Sequence, residues 1–257
     1  MHDSPAVEVN QLTKHFKNSI AVHPLNFEVH AHEIFGFLGP NGAGKTTTMR
    51  MLAGLLEPSS GDGYIHGKSI KNQSLEAKQQ IAYLPDKPDI YPKLTGWEFL
   101  QFIASVFNLD KNIWIEHAKM LLHRFDLTES AGRLMETYSH GMKQKIALTG
   151  ALIHQPAVIF LDEPTVGLDP KSSRDLRAIL RETAADGTAV FFSTHMLDVA
   201  DQLCDRVGII HQGRLLQTGT PGELKQEHAS HAGGSLEDVF LRMTEQHEAE
   251  DPEGEVP

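Results

Sequence analysis

Residues 39–46 read Gly39-Pro40-Asn41-Gly42-Ala43-Gly44-Lys45-Thr46, with Thr47 next in line. The octet fits the phosphate-loop spacing of glycine, four residues, Gly-Lys and then Ser or Thr. Its flanks give the spacing structural meaning. Ile34, Phe35, Gly36, Phe37 and Leu38 form a short apolar run that predicts a buried strand, and Thr46 to Leu55 predict a helix. Strand, glycine loop and helix together make an anion cradle, in which backbone N–H groups converge on phosphates at the positive end of a helix dipole. Glycines 39, 42 and 44 permit backbone angles and close approaches that a Cβ would block. The motif places Lys45 on the β- and γ-phosphates and the Thr46 hydroxyl on Mg²⁺.

A chain of 257 residues with 40% hydrophobic content is long enough for one large α/β core with a subdomain. The formal net charge is −11 and no basic block or stripe occurs, which argues against nucleic acid as a partner. A single cysteine, Cys204, excludes an internal disulfide framework and suits a reducing compartment. Met1 to Glu8 lack the pattern of a signal peptide, and no apolar run reaches the roughly 18 residues that span a bilayer. If the protein serves a membrane, other chains are expected to cross it. The fifteen histidines are scattered without metal-ligand spacing and read as solvated surface residues, His195 excepted.

Alternation around Val7 and Val9, and again through Leu25, Phe27 and Val29, predicts antiparallel strands with one buried face. Pro58 to Gly63 read as turn material, and Tyr64 to Lys68 as an edge strand and turn. Ile81 to Leu84 make a further short strand. The middle of the chain changes period. Thr95 and Glu98 form a capping box, Leu100, Ile103, Ala104 and Phe107 recur at helical spacing, and so do Trp114, Ala118, Leu121 and Leu122. Residues 88–155 therefore read as a helical insertion. Val158–Leu161 and Ala189–Phe192 are apolar at every position, as in strands covered on both faces. Residues 226–235 read as a linker, Leu236 to Met243 as a short helix, and 245–257 as an acidic, disordered tail.

Phosphate loops serve kinases, GTPases, helicases and transporters alike, and the other motifs narrow the choice. The strand Val158–Leu161 ends in Asp162 and Glu163. Ligands of open α/β sheets sit beyond the carboxyl ends of strands, so Asp162 is placed to hold Mg²⁺ and Glu163 to polarise an attacking water. Ser139 reads as the N-cap of a helix carrying Met142, Ile146, Ala147 and Leu152, which makes its N-terminus, with the Gly141 amide, a second anion site. Phe191 to His195 put a histidine just past the end of a buried strand.

Taken together these motifs resemble the nucleotide-binding subunit of ABC (ATP-binding cassette) transporters, over residues 6 to 243 and in the family's order. Gly39 to Thr46 match Walker A, and Val158 to Asp162 match Walker B. Glu163 matches the catalytic glutamate, Ser139 to Met142 fall in the signature loop, Gly167 to Asp169 in the D-loop, and His195 at the switch histidine. The resemblance implies an α/β fold: a P-loop NTPase (RecA-like) core with a mainly parallel sheet, an antiparallel β subdomain and an inserted helical subdomain. It implies one ABC ATPase domain over residues 1–244. The implied activity is Mg²⁺-dependent ATP hydrolysis with Glu163, His195 and Lys45 as catalytic residues and with Thr46, Asp162 and Asp86 at the metal. Phe16 falls where the family stacks an aromatic ring on adenine. Implied partners are transmembrane permease subunits and a second ATP-binding subunit, on the cytoplasmic face of the membrane. Soluble ABC ATPases that act on ribosomes or DNA are an alternative, but they carry two cassettes or a long coiled-coil insertion. A nucleotide-binding scaffold without turnover is a third reading, which intact Lys45, Asp162, Glu163 and His195 oppose.

Three departures from the family pattern stand out. The usual Leu-Ser-Gly-Gly-Gln is Tyr138-Ser139-His140-Gly141-Met142 here, keeping the serine and the second glycine. Asp86 replaces the usual Gln or Glu and is shorter. Ser235 to Phe240 close the cassette in a way that resembles type-two export subunits. Asp86-Lys87-Pro88-Asp89 also imitates the guanine-reading Asn-Lys-x-Asp of GTPases, but it precedes the Asp-Glu strand instead of following it.

Overall fold

Alternating apolar residues fold the N-terminal stretch into a hairpin of β1 (Val7–Phe16) and β2 (Ser19–Val29), with Val9 opposite Phe27 and Leu12 opposite Leu25. The structure is a computed structural model describing residues 4–17, 19–88, 90–228 and 234–250. Gln11, at φ 51°, bulges the first strand, and its N–H donates to Asn26 Oδ1 at 2.9 Å. The apolar run becomes β3 (Ile34–Leu38), buried at every position. Helix α1 (Lys45–Leu52) follows the glycine loop and stops earlier than the pattern predicts. Gly54 takes φ 65° there, and the N–H groups of Leu55 and Leu56 both turn back to the Arg50 carbonyl.

β4 (Ser60–Ile65) and the edge strand β5 (Lys68–Ser69) complete an antiparallel sheet in the order β2-β1-β4-β5. The residues Ser60 to Gly63, turn material by composition, are strand. Pairing with β1 overrides propensity: Gly63 lies opposite Val9, and a Cβ on Gly61 would stand 2.0 Å from the Gln11 carbonyl oxygen. Then come α2 (Ser74–Gln79) and β6 (Ile81–Leu84). Three helices follow with no strand among the described residues: α3 (Gly96–Val106), α4 (Lys111–Arg124) and α5 (His140–Leu152). The capping box closes as read, with Thr95 N–H donating to Glu98 Oε2 at 2.8 Å and Glu98 N–H to Thr95 Oγ1 at 3.2 Å. Asp110 and Ser139 cap the next two helices.

β7 (Val158–Asp162), α6 (Pro170–Ala185), β8 (Ala189–Thr194), α7 (Leu197–Leu203), β9 (Arg206–His211), β10 (Arg214–Gly219), α8 (Pro221–His228) and α9 (Leu236–Glu250) finish the chain. The second sheet has the order β10-β9-β3-β8-β7-β6 and is parallel except for β10. Its face toward the antiparallel sheet carries Phe35, Phe37, Phe160 and Phe191, which gather with Phe27 at ring separations such as 5.4 Å and 5.7 Å. Each such ring contributes about 1.5–3 kcal/mol of burial. The opposite face packs Ile159, Leu161 and Phe192 on the inserted helices and α6. At the C-terminus, α9 runs past Glu245, where the sequence reading begins a disordered tail. Met243 and Thr244 are buried and Glu248 Oε1 lies 3.2 Å from His211 Nε2, so tertiary contacts hold a turn that composition disfavours. Residues 226–228 belong to α8, whereas 229–233 of the read linker and 251–257 of the tail lie outside the described residues. No helix among the described residues is long and apolar enough to cross a membrane.

Candidate active site

β3, β7 and β8 are parallel neighbours in near register, so the residues after each strand meet at one rim of the sheet. After β3 the loop passes close under β9: a Cβ on Gly39 would stand 2.2 Å from the Ile210 carbonyl oxygen. Gly44 takes φ 101° at the helix N-cap, a conformation open to glycine at little cost. The resulting cleft, of about 350 Å³, is lined by Pro40, Asn41, Gly42, Gly44, Lys45, Thr46 and Thr47 from the loop and α1. Asp86, Asp162 and Glu163 line it from the neighbouring strand ends. Ala43 is buried behind the loop, where its carbonyl accepts the Gly213 N–H at 3.0 Å.

Lys45 is 5% exposed, and its ammonium donates to the carbonyls of Gly39 at 2.7 Å and Pro40 at 3.1 Å and lies 3.5 Å from Glu163 Oε1. Burial pulls its pKa down, against the opposing pull of the Glu163 and Asp162 carboxylates. A phosphate would meet a cation already desolvated and aimed. Asp162 is buried at the end of β7, and Ser193 Oγ on β8 donates to its Oδ1 at 2.5 Å. The Glu163 N–H donates to the Ser193 carbonyl at 3.1 Å. Glu163 itself sits at φ 48°, a left-handed conformation costing a non-glycine residue about 1–2 kcal/mol. That turn aims its carboxylate back into the cleft, where Oε1 lies 3.0 Å from His195 Nδ1 and the buried Oε2 has no partner. His195 also lines an adjoining cavity of about 300 Å³ with Gly39, Pro40, Asn41, Leu197 and Phe240.

The structure thus brings together the loop, Lys45, Thr46, Asp86, Asp162, Glu163 and His195. Three other candidates are not among the residues that line the cleft. Phe16 ends β1 as an exposed ring with Lys14 Nζ 5.1 Å from its centroid. Ser139 caps α5 by accepting the Met142 N–H at 3.3 Å, and Gly141 abuts Ser172 of α6. Sequence reasoning missed Ser193 and Arg50. Ser193 is a polar residue closing an otherwise apolar strand, and Arg50 falls four residues after Thr46 on one helix face, so both left a signal. Among the described residues no trio of His, Cys, Asp or Glu is arranged to hold a metal by itself. The hydroxyl and carboxylate oxygens of Thr46, Asp162 and Asp86 are nonetheless the hard donors that suit Mg²⁺ shared with a nucleotide's phosphates.

Residues 22–166 match the family described as ABC transporter. The linearmycin resistance ATP-binding protein LnrL of Bacillus subtilis is 34% identical over 93% of this chain and 74% of its own length. This chain belongs to the ABC transporter family. Its place there is among the ATP-binding proteins. It is 36% identical, over 92% of its length, to the probable multidrug ABC transporter ATP-binding protein YbhF of Escherichia coli, of which it spans only 41%. A solved structure of an ATP-binding subunit of an ABC transporter superposes with a TM-score of 0.86 at 30% identity, covering 93% of this chain and 99% of the other. In this fold the ends of β3, β6 and β7 converge on one cleft, while Ser139 and Gly141 are not among its lining residues.

Proposed function

We propose that this cassette binds and hydrolyses Mg²⁺-ATP and, at the cytoplasmic face of a membrane, drives substrate movement through separate transmembrane permease subunits. The observation that carries the proposal is the Glu163 carboxylate, set by a left-handed turn at the cleft with its Oε1 between Lys45 and His195. Glycines 39, 42 and 44 with Lys45 and Thr47 cradle the phosphates. Thr46, Asp162 and Asp86 would hold Mg²⁺, and Glu163 would take the proton of the attacking water. Bound there, Mg²⁺ would neutralise negative charge on the phosphates. His195 senses the γ-phosphate, and Phe16 stacks on the base.

Ser139 and Gly141, at the N-terminus of α5, are not among the residues that line their own chain's cleft. A second ATP-binding subunit, identical or not, would present its own signature loop to this cleft, sandwiching two ATP molecules. ATP then favours the closed pair only through its extra contacts there, and loss of the γ-phosphate removes them. Residues 1–244 act as one ATPase domain, and the helical subdomain of about 88–155 passes the motion on. The names of LnrL and YbhF speak of resistance and multidrug transport. With Ser235 to Phe240 they support export as the direction. Glu163→Gln tests the whole: it should keep ATP binding, reduce turnover at least a hundredfold and accumulate a dimer in light scattering with Mg²⁺-ATP. Normal turnover with a monomer under saturating ATP would overturn it.

A further inference from the structure

Helix α5 buries a side-chain amide among apolar residues. Gln144 is 4% exposed, on a helix whose other buried positions include Ile146, Leu148 and Leu152. An amide taken out of water is costly unless it is hydrogen-bonded, so the partner of Gln144 matters. Its Nε2 donates to the Pro164 carbonyl at 3.3 Å, and Pro164 is the residue after Glu163. The first turns of α5 are seated on the same stretch of chain. A Cβ on Gly141 would stand 2.7 Å from Ser172 Oγ, and Lys145 Nζ lies 3.3 Å from Asp175 Oδ2. Those two contacts fall on α6, whereas that of Gln144 falls on the turn at Glu163.

That turn is closed by the Val166 N–H, which donates to the Glu163 carbonyl at 3.2 Å and puts Pro164 at the second position of a β-turn. The pyrrolidine ring fixes the φ of Pro164. Its ψ sets the direction of its carbonyl, and Gln144 holds that carbonyl, so both backbone torsions of Pro164 are set. A residue before proline has a restricted backbone, and Glu163 stands there at φ 48°. Such a conformation persists only where the surroundings over-determine it. On the far side Thr165, 5% exposed, directs its Oγ1 to Met196 Sδ at 3.9 Å, next in the chain to His195. The turn is thus gripped by α5 on one side and by the His195 segment on the other.

We propose that Gln144 is a positioning residue for Glu163. By holding the peptide after Pro164 it keeps the left-handed turn in place and the Glu163 carboxylate between Lys45 and His195. Without the amide, the Pro164 carbonyl loses this donor and the peptide is free to rotate. The carboxylate then spends less time where it would meet the attacking water. The helix that starts after Ser139 is thereby tied to the base of its own chain. The inference rests on the reading of Glu163 as that base.

The test compares two substitutions in the full chain. Gln144→Met keeps the volume and removes the donor, and Gln144→Asn keeps the amide but draws it back by one methylene. ATP binding in EDTA, by calorimetry, should stay within about twofold of wild type in both, because neither touches the phosphate loop. With Mg²⁺, Gln144→Met should lower kcat about tenfold and leave KM nearly unchanged, as expected for a small misplacement of a reacting group. Gln144→Asn should fall between it and the wild type. In a Glu163→Gln background, Gln144→Met should change the residual turnover by less than about twofold, because the group it acts through is already gone. A wild-type kcat in Gln144→Met, or the same proportional loss in both backgrounds, would overturn the positioning role. So would a fall in ATP affinity that matches the fall in kcat in both variants. Glu163→Gln turning over like the wild type would instead overturn the reading of Glu163 as the base.

Discussion

Ser193 shows how one hydroxyl can set the geometry of two acids. Its Oγ donates to Asp162 Oδ1 and its carbonyl accepts the Glu163 N–H, so it fixes both the carboxylate proposed for the metal and the turn that aims the proposed base. Ser193→Ala would leave a buried carboxylate oxygen without its donor, a loss of about 1–3 kcal/mol in stability. The fold should survive that. The half-saturating Mg²⁺ concentration for ATP turnover should rise several-fold, while ATP affinity in EDTA stays near wild type. A Mg²⁺ titration of the two proteins side by side checks this, and superimposable curves would refute it. Lys45 was legible in the sequence from the glycine-loop spacing, and Asp162, Glu163 and His195 because each comes just after a short apolar run. Ser193 was passed over because its role shows only in its contact with Asp162, which the polar residue closing the run Ala189–Phe192 does not announce. The left-handed turn at Glu163 was equally invisible, since glutamate is a poor marker of that conformation.

His154, just beyond the end of α5, joins three elements. Its ring stacks on Phe107 after α3 at 3.8 Å between centroids, and its Nε2 lies 3.0 Å from the Ile81 carbonyl of β6. Nδ1 is buried without a partner, and burial pulls the imidazole below its ordinary value of 6.5, with the Ile81 bond opposing. The folded protein therefore favours the neutral ring. As pH falls through about 6.5 the unfolded chain takes up the proton first, so stability declines with acid from that point. Replacing the ring, as in His154→Gln, should cost about 1 kcal/mol at pH 7.5 and remove this part of the decline. Urea unfolding at pH 7.5 and 5.5 measures both, and an equal drop in the two proteins would count against the assignment. Among the elements, the capped helices and the all-apolar strands were readable because their signals are local. His154 passed for a surface residue because its partners come from 47 and 73 positions away (154 − 107 and 154 − 81). β4 escaped for a related reason, since its glycines are chosen by the neighbouring strand and not by their own propensity.

Across the whole molecule, the inserted helices are joined to the core by ion pairs between distant segments. Arg124 Nε on α4 lies 2.7 Å from Glu182 Oε2, and Lys145 on α5 lies 3.3 Å from Asp175, both acids on α6. No local pattern announces such pairs, nor the strand order that inserts β3 between β8 and β9. The fold class was legible nonetheless, because strand, glycine loop and helix in sequence admit few architectures. The phosphate loop touches the core through β3, the second sheet edge through Ile210 and Gly213, and the hairpin through Ala21. A ligand gripped by it should stabilise the cassette as a unit. At a hundredfold excess over Kd, a ligand that binds only the folded state adds about 2.7 kcal/mol, which in a chain of this size raises Tm by about 5–10 °C. Mg²⁺-ATP should produce that shift in the wild type. Lys45→Ala removes the buried ammonium and should abolish most of the shift, whatever it does to the Tm of the free protein. The quantity to compare is thus the difference with and without nucleotide for each protein, by scanning calorimetry. An undiminished shift in Lys45→Ala would mean that the nucleotide binds somewhere other than the cleft formed by residues 39–47.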